Sequence, residues 1–220
     1  MKTLINIFIL FALTSTALFA QKNQTKDYKV DSFEKIELSG GYHVVLIQGN
    51  QHGVFVNGKQ KEIDELKVYV KNNTLYVDNH KGKDGHNETD KTSMVVQITF
   101  ENLEEMECAI AGNIESEGLL KFNSFELEYT GVGKLKLNME AKDLDVEVTG
   151  VGSVEFEGKA QTAKFEGTGV GSFDARKLLV RDLEGTWTGI GNMKVNAYNT
   201  CKISSSGIGS VKNYNDMKDN

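Results

Sequence analysis

An all-β chain, folded as a single-domain parallel β-solenoid, right-handed and β-helix-like with an N-terminal strand-rich cap, is the architecture this sequence predicts. Three observations predict it. A glycine motif recurs every 18–20 residues; apolar and polar residues alternate between the glycines; and 220 residues include 22 glycines and no proline. Stacked strands need nearly every backbone N–H for their ladders, and proline has none to give. With 39% hydrophobic and 25% charged residues the chain can build a core and is not disordered. A net charge of −6 argues against a nucleic-acid partner, which needs a basic stripe to neutralise phosphates.

The repeat occupies the second half. Thr130-Gly131-Val132-Gly133 is followed by Thr149-Gly150-Val151-Gly152, Thr168-Gly169-Val170-Gly171, Thr188-Gly189-Ile190-Gly191 and Ser206-Gly207-Ile208-Gly209. The second glycine therefore recurs at intervals of 19, 19, 20 and 18. A degenerate copy, Ala109-Ile110-Ala111-Gly112, ends 21 residues ahead of Gly133. Between glycines, Phe125, Leu127 and Tyr129 alternate with Glu126, Glu128 and Thr130, and Leu144, Val146 and Val148 with Asp145, Glu147 and Thr149. Period two marks strands with one buried and one wet face. A single copy is too small to bury its apolar face, whereas copies stacked ~4.8 Å apart share a continuous core. A β-sandwich of hairpins would explain the alternation but not the fixed interval. Stacking also predicts a hydroxyl ladder at Thr130, Thr149, Thr168, Thr188 and Ser206. It assigns the eleven repeat glycines (Gly112 and the five Gly-x-Gly pairs from Gly131 to Gly209) to bends. Cys108 and Cys201 fall at different repeat positions about five rows apart, beyond the ~7 Å reach of a disulfide. No disulfide is expected, and both thiols are expected free.

Residues 32–107 lack the interval but stay strand-rich, and no linker parts them from the repeats at 108–212. One domain over 32–212 is expected, with tails at 21–31 and 213–220. Residues 33–38 alternate, and Ser39-Gly40-Gly41 leads into an apolar stretch at 42–47. Residues 54–56 end on Asn57-Gly58, a favoured tight-turn pair. Residues 66–70 and 74–77 flank Asn72-Asn73 as a hairpin. Residues 59–65 fit one helical turn, 79–93 read as a mobile polar loop, and 94–100 form a further strand. Together, Phe33-x-x-Ile36-x-Leu38-Ser39-Gly40, Leu75-Tyr76-Val77, Ile98-Thr99-Phe100 with Leu103, and the Gly-[Val/Ile]-Gly-[Ser/Asn] copies resemble the putative auto-transporter adhesin, head GIN domain family, over roughly residues 32–212. Ile110 departs from the pattern, standing where later copies have the first glycine. The resemblance implies a β-helix-like fold, export by Bacteroidetes-type bacteria and an adhesin-like role; it brings no catalytic residues.

Export is also read from the N-terminus. Lys2, an apolar run at 4–18 and Ala20 before a polar switch at Gln21 read as a secretory signal peptide over residues 1–20. No later segment is apolar enough to span a membrane, which places the mature chain in the periplasm, on the outer surface or in the medium.

Chemistry-bearing residues gather on one surface. His43, His52, His80 and His86 lack zinc spacing. No Gly-x-Ser-x-Gly elbow is present, and Ser172 fills a repeated structural slot. The Gly-x-Gly pairs have no following helix, so they fail as dinucleotide or phosphate loops. Tyr129 and Trp187 share the inward repeat position of Val148 and are assigned to the core. No catalytic residue, metal or cofactor is expected. The outward positions before each glycine bend carry Glu126, Glu128, Asp145, Glu147, Glu166 and Glu184, relieved by Lys164. Adjacent copies bring these carboxylates within ~5 Å of one another, making them the candidate ligand or cation surface. The expected function is an exported, non-enzymatic cell-envelope protein, an adhesin-like binding or structural module. Its partner is an envelope or surface ligand, protein or glycan, or a second copy of the chain. The alternative is a polysaccharide-active β-helix enzyme using the acidic face.

Overall fold

The computed structural model describes residues 23–79 and 93–215. The signal-peptide reading, the polar loop with His80 and His86, and the end of the C-terminal tail lie outside the described residues.

In chain order the elements are β1 (Gln24–Tyr28), β2 (Lys35–Gly40), β3 (His43–Gln48), β4 (Gly53–Gly58), α1 (Gln60–Glu65), β5 (Lys67–Lys71), β6 (Thr74–Asp78), β7 (Val95–Phe100), β8 (Glu105–Ala111), β9 (Ile114–Glu117), β10 (Leu120–Val195) and β11 (Ala197–Asn213). The described strands form a single 11-stranded sheet in the order β1-β4-β7-β3-β9-β10-β8-β2-β6-β5, with β11 on β10.

This corrects the expectation of a parallel β-solenoid. The sheet is mixed and wraps into a nearly closed, barrel-like shape. β4 runs antiparallel to both β1 and β7, and β5 antiparallel to β6. Local chemistry sets the reversal at one of these pairs. Asn72 and Asn73 adopt φ of 51° and 64°, and two successive left-handed residues make the tight turn that folds β5 onto β6. Asn57-Gly58, read as a turn, instead ends β4 and leads into α1. There the Lys59 N–H donates to Glu62 Oε2 at 3.1 Å, which closes the helix N-terminus.

The glycine copies take the parallel part of the sheet. β11 runs beside the last pass of β10 with Thr188 opposite Ser206, Gly189 opposite Gly207 and Gly191 opposite Gly209. β8 lies parallel to the first pass, with Cys108 opposite Tyr129, and β2 lies parallel to β8. The backbones approach so closely at these glycines that a side chain has no room: a Cβ at Gly152 would overlap the carbonyl of Gly133. Each pass of the chain makes one row, and aligned residues in successive rows form a column.

Period-two burial holds along β2, β4, β6, β7, β8 and the inward-facing stretches of β10. Phe125, Leu127, Phe156, Phe165 and Phe173 are buried while their neighbours face water. Phe165 and Phe173 pack with ring centroids 4.9 Å apart, and Phe156 meets Phe173 edge-on at 5.4 Å. Tyr129 and Trp187 are buried, as their inward position requires. The N-terminal half contributes Leu46 and Phe100 from its strands, and Phe33 and Tyr42 from just before β2 and β3, to the same core. The Tyr42 hydroxyl donates to the Val77 carbonyl at 2.7 Å, and burial pushes its phenol well above the ordinary value. Cys108 is buried opposite Leu38 and Tyr129, and Cys201 is half-buried opposite Leu183. Among the described residues no helix is long and apolar enough to cross a membrane.

Candidate functional site

The six acidic residues named from sequence fall into two neighbouring columns on the wet face. One column runs from Lys35 through Glu105 to Glu126 by strand pairing, continues one copy on to Asp145 and Lys164, and ends at Glu184 opposite Lys202. The other starts at Glu37, opposite Glu107, which lies opposite Glu128; Glu147 and Glu166 follow at the repeat interval. Strands supply this arrangement because outward positions two residues apart sit side by side, while the same position in the next row lies ~4.8 Å away.

The first column is mostly neutralised. Lys35 pairs with Glu105, and that contact raises the lysine's pKa. Lys202 lies 2.7 Å from Glu184 and holds its carboxyl below the ordinary value. Lys164 reaches Glu166 at 2.7 Å and Asp145 at 3.7 Å, so one ammonium ties the two columns together. Asp143 and Asp182, two residues before Asp145 and Glu184, flank this column. Thr162 donates to Asp143 at 2.6 Å. Asp182 accepts from Thr200, from Asn199 at 2.6 Å and from Arg181 at 2.7 Å, which together lower its pKa to about 2. Asp143, Thr162, Lys164, Asp182, Thr200 and Lys202 line a shallow groove of about 580 Å³ that takes in Glu126, Asp145 and Glu184.

The second column keeps more of its repulsion. Glu107 is raised above the ordinary carboxyl range, first by partial burial and then by Glu105, Glu128 and Glu37 around it. Sequence reasoning missed Glu107 and Glu37. Glu107 carries a usable signal, since it precedes Glu128 by the same 21 residues that separate Gly112 from Gly133. Glu37 carries no such spacing and is brought in by the β2–β8 pairing alone.

The remaining candidates stay apart from these columns. His43 Nδ1 accepts from the Asn113 N–H at 3.0 Å, and His52 packs edge-on against Phe33 at 4.7 Å. Among the described residues no group of three or more His, Cys, Asp or Glu side chains is arranged to hold a metal ion. The groove therefore offers charge-paired polar contacts on an open strand surface.

The pattern of glycine rows and strand-rich N-terminal half matches one family model, described as putative auto-transporter adhesin, head GIN domain, over residues 32–216. The chain belongs to this family. A crystal structure of a putative adhesin from Bacteroides fragilis is similar at 25% identity and TM-score 0.74, covering 88% of this chain and 98% of that one. A putative adhesin from Parabacteroides merdae superposes with TM-score 0.57 at 15% identity, covering 87% of this chain and 96% of that one. A putative lipid binding protein from Parabacteroides distasonis does so with TM-score 0.55 at 15% identity, covering 88% and 95%. At these lower identities the likeness is one of fold. No curated protein matches this chain. The head GIN chain thus places its acidic groove on a framework shared with proteins described as adhesins, and the glycines named from sequence hold the rows of that framework together.

Proposed function

We propose that this chain is an exported, non-enzymatic binding module of the cell envelope, adhesin-like in its role, with a protein or glycan of the envelope or of a cell surface as its ligand. The observation that carries the reading is the family match over residues 32–216 together with similarity, over 88% of the chain, to an adhesin-described structure at 25% identity. The shape of the molecule is in keeping with it. Repeated rows make long, shallow, polar faces, which suit extended ligands better than a small substrate needing an enclosed pocket. The polysaccharide-cleaving alternative requires one carboxyl kept protonated beside one kept ionised. Among the described residues the one carboxyl held above the ordinary range, Glu107, lies outside the groove, where Glu184 and Asp182 are both held down by their partners, so we favour binding over turnover. The test is binding of the folded mature chain to a glycan array and to fixed bacterial and host cells. Saturable binding to a surface component supports the reading. Absence of any such ligand, or release of reducing ends from a bound polysaccharide, overturns it.

A further inference from the structure

A second trough, lined by a different set of residues from the acidic groove, lies along successive passes of β10. Its floor is the buried column Phe122, Ala141 and Ala160. Two successive alanines follow the phenylalanine, and the surface sinks there into a trough of about 360 Å³. One wall is the column Lys121, Glu140, Lys159, in which Lys159 meets Glu140 at 3.1 Å; Lys142 stands on the other wall. Leu179 and Tyr198 line the end nearest the C-terminus and are 43% and 55% exposed.

The charge here runs against the rest of the molecule. Three ammonium groups and one carboxylate line the trough, in a chain whose net charge is −6. An uncovered aromatic ring beside an apolar floor is the other unusual feature, since exposed apolar surface with a polar rim marks contact sites. We infer that this trough binds an acidic glycan, a linear oligosaccharide bearing carboxylates. A sugar ring offers an apolar C–H face to the alanine floor and to the Tyr198 ring. Its hydroxyls can bond Glu140 and Gln161, and its carboxylates pair with the lysines. Lys121 and Lys142 stand in adjacent rows on opposite walls and supply the net positive charge that meets the ligand's carboxylates, since Lys159 is paired with Glu140. Lysine suits this task because its ammonium is a compact charge on a flexible stem. A single-stranded nucleic acid fits less well, as it needs a series of stacking rings along an extended basic groove. The inference rests on the binding-module reading and adds to it a site and a ligand class.

The experiment is calorimetric titration of the mature chain with tetragalacturonate, with a neutral galactose tetramer of equal length, and with a four-nucleotide DNA. The acidic tetramer should bind with an affinity that falls as salt is raised, and at least about tenfold more tightly than the neutral one. A Lys121→Gln, Lys142→Gln, Lys159→Gln variant and a Tyr198→Ala variant, each with an unchanged circular dichroism spectrum, should each lose about tenfold or more. Failure of the acidic tetramer to bind, equal binding of the neutral tetramer, tighter binding of the DNA, or undiminished binding by the triple variant would each overturn the assignment. If the triple variant still binds cells or array glycans as the parent does, this site falls while the binding-module reading stands. If the parent itself finds no surface ligand, both fall.

Discussion

Replacing Gly152 with alanine should cost far more than backbone strain alone. Gly152 has φ of +149°, a region that L side chains rarely adopt, and this contributes about 1–3 kcal/mol. The greater cost comes from the neighbouring row. An added Cβ would overlap the Gly133 carbonyl oxygen and lie 2.9 Å from its carbon and 3.2 Å from the Gly133 nitrogen. All three atoms are backbone, so no rotamer change relieves the clash and the two rows must part. Each hydrogen bond lost between them leaves groups unpaired at about 1–3 kcal/mol. A total of about 4 kcal/mol or more is expected, a large share of the stability of an ordinary domain. Two further glycines separate the contributions. Gly118 has φ of +80° but no atom within 4 Å of a Cβ, so Gly118→Ala should cost only about 1–2 kcal/mol. Gly53 has neither an unusual φ nor a near neighbour, so Gly53→Ala should be neutral or stabilise by about 0.5–1 kcal/mol. Urea denaturation followed by the fluorescence of Trp187, the single and buried tryptophan, reads all three. If Gly152→Ala costs no more than Gly118→Ala, close approach of the rows is not why glycine is there.

Three further outcomes are expected. Phe173 is fully buried against Phe156 and Phe165, so Phe173→Ala should lower stability by about 3–5 kcal/mol, and a loss under about 1 kcal/mol would contradict the packing described. Asn213 accepts from the Ala197 N–H and donates to its carbonyl, both at 2.9 Å; Asn213→Ala should cost about 2 kcal/mol or more and speed amide exchange at Ala197, while unchanged exchange would refute the contact. Glu107 has a folded-state pKa raised above its unfolded value, so its protonated form favours folding. The parent's advantage is present below the unfolded pKa and is lost as pH rises through the folded one. Glu107→Gln should therefore raise the melting temperature at pH 7 and leave it nearly unchanged at pH 3, and the reverse order would refute the crowding of Glu37, Glu107 and Glu128.

Much of the acidic surface was legible because its spacing is the spacing of the glycines. Once Gly131, Gly150 and Gly169 are aligned, Glu128, Glu147 and Glu166 fall into one column by counting. Lys202 beside Glu184 follows from the same count. Glu37 could not be counted into place, because β2 lies outside the repeat and reaches Glu107 only through pairing across the sheet. The lysine trough was hidden for another reason. Its walls are charges and its floor alanines, and neither is unusual along the chain; the depression exists only where small side chains of successive rows coincide.

The sequence by itself determined which residues of the repeats face inward and at what interval the glycines recur from row to row. Each follows from a local period, of two or of about nineteen residues, that the side chains carry without reference to distant partners. The β5–β6 hairpin was legible at Asn72-Asn73, but tertiary structure alone decided the direction of β4. Nothing in the alternation of β4 or β5 distinguishes parallel from antiparallel pairing, since both present the same alternating faces. The long-range placement of β4 between β1 and β7 settles it and, with the hairpin, makes the sheet mixed and nearly closed where a parallel solenoid with a strand-rich cap was expected.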